Sequence, residues 1–472
     1  MERPSAQIHS MESSIRFFMS GVGLCCLGIS FIKVWFCNAP YQQQVMGDAS
    51  VGFMLCLLAR ALAPLLVVLA FRGKDISERT RSIMDIVAVC VMVVGGFCIA
   101  FDFPFLDSAT SLVLLGFGSA AAGWAYVSWG DIYAHLRMPE TTVLVFLSLS
   151  VSSGCNLILV FLPDVVVALC MVACPIVAFI MMRKAAKGLS EVPDLIAASA
   201  PSCNYDGKIR RLFGAWFAAL CLFALVWGGL QALPFGEPLG LPYLVLYRVS
   251  AMVLSLAPIV WTVFLKRKLS TNYLWLLTIP IICFALLLVL LGDSDASQLA
   301  NTLLSCAYYM VFGFVWLQLT SISQHVSRPP YVIYSLGWGF AFLPMALGEI
   351  AVLVFLTYEH SSTTLIVILL VLLAVSMLFL VAPRTSNVDT WRNETPSERK
   401  RGALLGEEWG LTVRELQVVK LIGQGRTQEY CAQELSVSIN TIRGHMKRIY
   451  TKLDIHSKAE LIDILEGELD AG

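Results

Sequence analysis

The sequence predicts an all-α protein: a twelve-helix transmembrane bundle built as two six-helix repeats, followed by a small four-helix unit. Three observations lead there. Of 472 residues, 57% are hydrophobic and only 14% charged, whereas soluble domains are near half apolar and a quarter charged. Mean hydropathy is +0.75, and apolar runs of roughly 20 residues, the length that crosses a bilayer, recur along most of the chain. The last stretch changes character, with apolar residues at helical spacing between charged ones and punctuated by caps and glycines.

The apolar runs fall at about 15–37, 49–71, 83–101, 109–130, 141–162, 164–182, 212–233, 241–265, 272–292, 297–320, 331–356 and 362–382. The first is too long for a signal peptide and holds Lys33, so it reads as an uncleaved span. Loops after even-numbered spans carry Arg72, Lys74, Arg79 and Arg81; Arg137; Arg183, Lys184, Lys187, Lys208, Arg210 and Arg211; Lys266, Arg267 and Lys268; and Arg328. Loops after odd-numbered spans, such as Asn38 to Ala49, Asp102 to Ser108 and Gly292 to Ser297, carry no Lys or Arg. Cytoplasmic loops hold the basic residues, so both termini are expected in the cytoplasm. The formal net charge of zero averages an apolar block with a charged tail and points to no partner. The fourteen cysteines lie mostly inside apolar runs without a CxxC pair; they read as small buried hydrophobes, with neither disulfide framework nor metal site.

The spans divide into two sixes at the long loop Arg183 to Arg211. Ala63-Pro64 precedes Arg72 by the interval at which Ala257-Pro258 precedes Lys266, and His135 lies before Pro139 as His325 lies before Pro329. Parallel six-helix repeats resemble the plan of the major facilitator superfamily, a resemblance that implies a binding site between the halves near mid-membrane. That family's Gly…Asp-Arg-x-Gly-Arg signature is not reproduced between Arg72 and Arg79.

Charges inside spans are costly and so mark candidate ligand residues: Arg60, Arg248 and Glu349. An arginine from each half suits a carboxylate or other anion; the alternative is an internal Arg248–Glu349 pair that pins helices. Lys33, Asp85 and Asp131 lie near span ends and read as snorkelling or solvated. The aromatic-rich segments Trp124 to Trp129 and Tyr308 to Trp316 read as packing and interface-belt residues, with the lining of a ligand cavity as the rival reading. Gly116, Gly118 and Ser119 to Gly123 read as close helix contact.

Pro383 to about Gly410 is rich in Pro, Ser, Thr, Asn, Arg and Glu and reads as a flexible tether. The domain plan is therefore a membrane sensor domain at 1–382, a cytoplasmic linker at 383–406 and a terminal domain at 407–472. In that last domain Thr412 and Glu415 form a capping box, with Leu411 and Leu416 as a hydrophobic staple, and start a helix at about Val413. Leu416, Val419 and Ile422 share one face, and Gly423 and Gly425 end it. A second helix follows Thr427, burying Cys431, Ala432 and Leu435. Ser438 caps a third, whose Ile442, Met446, Ile449 and Leu453 form an apolar stripe while Arg443, Lys447, Arg448 and Lys452 point elsewhere. Ser457 and Glu460 cap a fourth, a candidate dimer surface.

Two helices joined by a tight turn, the second basic and exposed, make a helix-turn-helix. The run Leu411-Thr412-Val413-Arg414-Glu415, then Thr441-Ile442-Arg443-Gly444-His445, then Ile449-Tyr450-Thr451-Lys452-Leu453 resembles the LuxR-type (GerE-like) DNA-binding domain of bacterial transcription regulators. The resemblance implies that Arg443 and Lys447 reach the major groove, with Asn440, Thr441, Arg448 and Lys452 on phosphates. Tyr430 stands where the family has a capping glutamate. Gly444 stands where the family has a larger residue on its DNA-facing side, so the thymine-methyl contact open to such a residue is not expected here.

The combined reading is a one-component transcription regulator in the bacterial cytoplasmic membrane. Its bundle senses an unidentified small molecule and its tail binds double-stranded promoter DNA as a homodimer, with RNA polymerase as a further partner. The alternative is a secondary transporter with a regulatory DNA-binding tail. No Gly-rich phosphate loop, metal-ligand cluster or nucleophile triad stands out, so no enzymatic activity and no cofactor are expected.

Overall fold

An apolar chain with no water beside it must close its backbone hydrogen bonds within its own segments, which favours helices. The computed structural model describes residues 21–37, 49–100, 108–190, 206–231, 240–263, 271–289, 294–324, 328–358, 362–381, 409–423, 427–434, 439–457 and 460–461. Every regular element among them is helical. The chain forms two compact units, Met1–Thr385 and Ser386–Gly472.

The first unit opens with α1 (Gly21–Cys25), a 3₁₀ turn (Cys26–Gly28) and α2 (Ile29–Cys37). It continues through α3 (Ala49–Ala70), α4 (Glu78–Ala100), α5 (Ser108–Ala134), α6 (Met138–Leu159) and α7 (Asp164–Ser190). Then come α8 (Asp206–Gln231), α9 (Leu241–Val263), α10 (Thr271–Val289), α11 (Ser294–Ser323), α12 (Pro330–Tyr358) and α13 (Ser362–Val381). Among the described residues, seven helices are long and apolar enough to cross a membrane: those in α4, α5, α6, α7, α9, α11 and α12. Shorter apolar stretches lie at Gly21–Trp35, Met54–Ala70, Trp216–Leu230, Pro280–Val289 and Thr364–Val375.

Packing follows a regular scheme. In the earlier part α2 packs on α6 and α7, α3 on α5, and α4 on α5 and α7. In the later part α8 packs on α12 and α13, α9 on α11, and α10 on α11 and α13. Between them, α3 packs on α12 and α6 on α9. The tightest approach rests on two glycines. A Cβ on Gly228 of α8 would lie 1.7 Å from the Met345 carbonyl oxygen, and one on Gly348 of α12 would lie 1.9 Å from that of Leu225. Neither helix can hold a side chain there, so the backbones touch directly. Of the glycines expected at helix contacts in α5, Gly118 meets Trp35 and Gly123 meets the Arg60 backbone, while Gly116 faces open space.

Two span-end charges depart from the expectation of snorkelling or solvation. Lys33 is buried against aromatic rings of α11. Asp85 is buried too, accepting hydrogen bonds from Trp124 Nε1 at 2.9 Å and Ser128 Oγ at 2.6 Å. Neighbouring helices supply these partners, so proximity to a span end did not decide solvation. Asp131 is only partly covered and pairs with Arg81 at 2.8 Å.

Replacing Gly228 or Gly348 by Leu should therefore lower the thermal midpoint of the detergent-purified chain, overpacking of this kind costing about 1–3 kcal/mol or more. Gly116→Ala, whose added Cβ meets nothing within 4 Å, should not lower it, and differential scanning fluorimetry reads both.

Candidate nucleic-acid interface

The second unit contains α14 (Val413–Gly423), α15 (Gln428–Glu434) and α16 (Ile439–Leu453). Its core joins Leu411, Val418, Val419 and Ile422 to Cys431 and Ala432, to Ile442, Met446 and Ile449, and to Ile455 and Leu461. Leu416 and Leu453 are partly buried against it. The stripe Ile442, Met446, Ile449 turns one face of α16 inward, as its spacing required. Leu435 and Ser438, and the fourth helix beyond Leu461, lie outside the described residues.

The capping box at the start of α14 is formed: Glu415 N–H donates to Thr412 Oγ1 at 3.4 Å and Thr412 N–H to Glu415 Oε2 at 2.8 Å. At the second box, Glu460 N–H donates to Ser457 Oγ at 3.2 Å, while His456 N–H and the Ser457 hydroxyl donate to the Glu460 carboxylate at 2.9 and 2.7 Å. The end of α16 is closed by Asp454 in the left-handed region (φ 52) and by Ile455 N–H donating to the Tyr450 carbonyl at 3.0 Å, a Schellman-type stop.

One contact that spacing could not reveal fixes α16 on α14. Lys452 Nζ donates to Glu415 Oε2 at 2.7 Å and to the Gly410 carbonyl at 2.8 Å, and Arg448 Nε lies 3.9 Å from Glu415 Oε1. Burial pushes the Glu415 carboxyl up, but hydrogen bonds from Lys452 and Thr412 outweigh it and hold the pKa at about 2. Lys452, expected on a phosphate, thus has its ammonium committed to an internal carboxylate and carbonyl.

On the opposite side Asn440, Thr441, Arg443, Lys447 and Arg448 are exposed. Gly444 lies among them, and a Cβ there would meet nothing within 4 Å. Arg448 Nε also donates back to the Gly444 carbonyl at 3.2 Å. His445 is half-buried; burial, and next the charge of Arg448, holds its pKa below the ordinary value. Seated by its buried stripe, α16 presents a row of two guanidinium groups, an ammonium, an amide and a hydroxyl, which is what a phosphate backbone and base edges require.

Residues 410–465 match the family described as bacterial regulatory proteins, luxR family. The chain is 42% identical over 53 residues to the oxygen regulatory protein NreC of Staphylococcus haemolyticus, covering 11% of this chain and 24% of that protein. It is 32% identical over 90 residues to an Aeromonas salmonicida protein named as an HTH-type transcriptional regulator in the exeN 3'region, covering 19% and 45%. A Mycobacterium bovis protein named as an HTH-type transcriptional regulator is 39% identical over 67 residues, covering 14% and 7%. The chain thus spans less than half the length of each of these relatives. The carboxyl-terminal unit carries a LuxR-type helix-turn-helix, the DNA-binding module of transcription regulators.

The membrane-unit candidates sit elsewhere. Arg60 is 1% exposed, its guanidinium carbon 5.0 Å from the Phe342 ring centre. Arg248 donates to the Tyr309 hydroxyl at 3.2 Å and lies over the Tyr247 ring. Glu349 is 1% exposed, and one of its carboxylate oxygens has no partner among the described residues. The alternative Arg248–Glu349 ion pair is absent there. No group of three or more His, Cys, Asp or Glu that could hold a metal occurs among the described residues.

In the fragment 402–472, Lys452→Met should lower urea-unfolding stability by about 1–3 kcal/mol, because it strands the Glu415 carboxylate, while Lys447→Met should leave it unchanged. Gly444→Ala should raise it by about 1 kcal/mol. Because the Glu415 pKa falls on folding, the stability this carboxylate contributes is complete above its ordinary 4.5 and is lost as pH drops toward about 2. Glu415→Gln should flatten that acid limb.

Proposed function

We propose that this chain is a membrane-embedded, one-component transcription regulator. A domain at 1–382 lies in the bacterial cytoplasmic membrane and responds to a small molecule, the segment 383–406 tethers it, and the domain at 407–472 binds double-stranded promoter DNA as a homodimer, in reach of RNA polymerase. The observation that carries the regulator assignment is the exposed row Asn440, Arg443, Lys447 and Arg448 on a helix whose other face is buried. Arg443 and Lys447 are assigned to base edges; Asn440, Thr441 and Arg448 to phosphates. Lys452 is assigned instead to holding the module together.

Membrane embedding is supported by apolar side chains on the outside of the first unit. Leu66, Leu69, Phe117, Val165 and Val371 are all more than half exposed, and every exposed large hydrophobic among the described residues belongs to this unit. Water would not tolerate so extensive an apolar exterior, whereas lipid would. Twelve spans in two six-helix repeats are supported by the packing scheme. Five pairings among α2 to α7 have counterparts six helices later: α2–α6 with α8–α12, α2–α7 with α8–α13, α3–α5 with α9–α11, α4–α5 with α10–α11, and α4–α7 with α10–α13. The contacts α3–α12 and α6–α9 exchange under the same operation. Pro64 of α3 and Pro258 of α9 are matched in the same way.

A small molecule regulates only if it binds two arrangements of the bundle unequally. Arg60, Arg248 and Glu349 are the charges first proposed to make that distinction, each being buried where an uncompensated charge is costly.

Fragment 402–472 should shift genomic DNA fragments selected by the wild-type tail. Arg443→Ala and Lys447→Ala should each weaken that binding by about 1–3 kcal/mol and relax sequence preference, while Arg448→Ala should weaken all sequences alike and reduce the salt slope by about 1. Unchanged binding by the Arg443→Ala/Lys447→Ala double variant refutes the assignment.

A further inference from the structure

Lys33 of α2 is only 3% exposed, and its Nζ lies 3.9 Å from the ring centre of Phe312, 4.3 Å from that of Tyr309 and 5.3 Å from that of Tyr308. Ring faces recover part of the cost of burying an ammonium. Beside it is a cavity of about 10 Å³, room for about one water. Its polar and aromatic lining is Ser30, Lys33, Tyr133, Ser148, Phe312 and Trp316, with no Asp or Glu among the described lining residues. The Ser30 hydroxyl and the Trp316 indole N–H, each on a side chain 1% exposed, have no hydrogen-bond partner among the described residues. Among the described residues the cavity thus offers an ammonium, an indole N–H and hydroxyls, a lining rich in donors.

Two further observations converge on the same place. The first helix is broken immediately before Ile29, at the 3₁₀ turn Cys26–Gly28, and Tyr133 donates its hydroxyl hydrogen to the Cys26 carbonyl at 2.7 Å. A 3₁₀ stretch inside a helix often marks a functional hinge or a segment under strain. The ring wall also runs on from the cavity: Phe312 stacks on Trp338 at 4.8 Å and Trp338 on Phe342 at 5.4 Å, the ring under Arg60. Tyr309 faces Lys33 with its ring and accepts from Arg248 with its hydroxyl. The two arginines singled out in the sequence therefore border the same aromatic surface as Lys33.

We propose that this cavity binds small organic carboxylates with a planar apolar body. The carboxylate takes the ammonium of Lys33 with the Ser30 hydroxyl and the Trp316 N–H, and the planar body lies against Phe312 and Trp316. The existing space holds about one water, so both the carboxylate and the planar body enter only as the rings of Phe312 and Trp316 part from Leu149 and widen it. This assignment rests on the reading that the membrane unit takes a small molecule, and it specifies the class.

The test is titration of the full-length chain in nanodiscs with benzoate, and with neutral benzyl alcohol, following tryptophan fluorescence. Benzoate should give a saturable change at millimolar concentration, with benzyl alcohol about tenfold weaker or worse. Lys33→Met should weaken benzoate about tenfold or more, Lys33→Arg should largely retain it, and Ser30→Ala should weaken benzoate several-fold without affecting benzyl alcohol. Should Lys33→Met fail to elute as a folded monodisperse species, Ser30→Ala carries the test. An absent benzoate response, or one unchanged in these variants, overturns the proposal. Benzyl alcohol binding as tightly as benzoate also overturns it, while leaving the sensing of a small molecule intact. Charge-selective benzoate binding that leaves the chain's affinity for DNA unaltered supports the site and counts against the sensing reading instead.

Discussion

One carboxylate organises the helix-turn-helix. Glu415 accepts from the Thr412 backbone N–H at the start of α14 and from Lys452 at the far end of α16, with Arg448 approaching its other oxygen. Capping alone would order one helix terminus; the added ion pair fixes the angle at which α16 is presented. That angle decides which side chains face outward, because rotating α16 by one residue's turn would bring Arg443 or Lys447 toward the core and expose Ile442 or Met446. The orientation of the exposed row therefore depends on Glu415, a carboxylate only 2% exposed. Removing Lys452 takes from the buried Glu415 carboxylate its ammonium donor, whereas Lys452 has an exposed side chain and keeps access to water without Glu415.

The contrast between Lys452 and Lys447 shows what kind of information the chain carries locally. Both are lysines on one helix with exposed neighbours, and the pattern of apolar and charged residues puts both on its cationic side. Their difference comes from Glu415, which is 37 residues from Lys452. The caps were legible because Thr412–Glu415 and Ser457–Glu460 act within three residues, and the stripe Ile442, Met446, Ile449 because helical period alone brings it to one face. Contacts across the fold have no such local signature.

Lys33 and Asp85 show the same limit in the first unit. Hydropathy places each near the end of an apolar run, yet burial depends on which neighbouring helix covers it: Trp124 and Ser128, 39 and 43 residues away, for Asp85, and the α11 rings for Lys33. The aromatic segments Trp124 to Trp129 and Tyr308 to Trp316 were visible as compositional clusters. Only packing of α5 on α11 brings them together, with Tyr126 5.6 Å from Phe312 and Tyr133 5.6 Å from Trp316. The glycines were partly legible: Gly118 and Gly123 sit at contacts, whereas Gly228 and Gly348, which allow the closest backbone approach, were not distinguished from other small residues in apolar runs. On the proposed reading, the hinge at Cys26–Gly28 and the ring wall put a conformational break next to a buried cation, an arrangement through which a bound anion would favour one packing of the bundle over another.

The most direct test of a DNA-binding helix held beneath a bilayer is recovery of DNA with inside-out membrane vesicles from cells expressing the full-length chain. The account predicts that specific promoter fragments sediment with vesicles carrying the wild-type protein and are lost with Arg443→Ala/Lys447→Ala, at equal protein content. Promoter fragments that sediment equally with the double variant, or wild-type protein that remains in the soluble fraction, would contradict it.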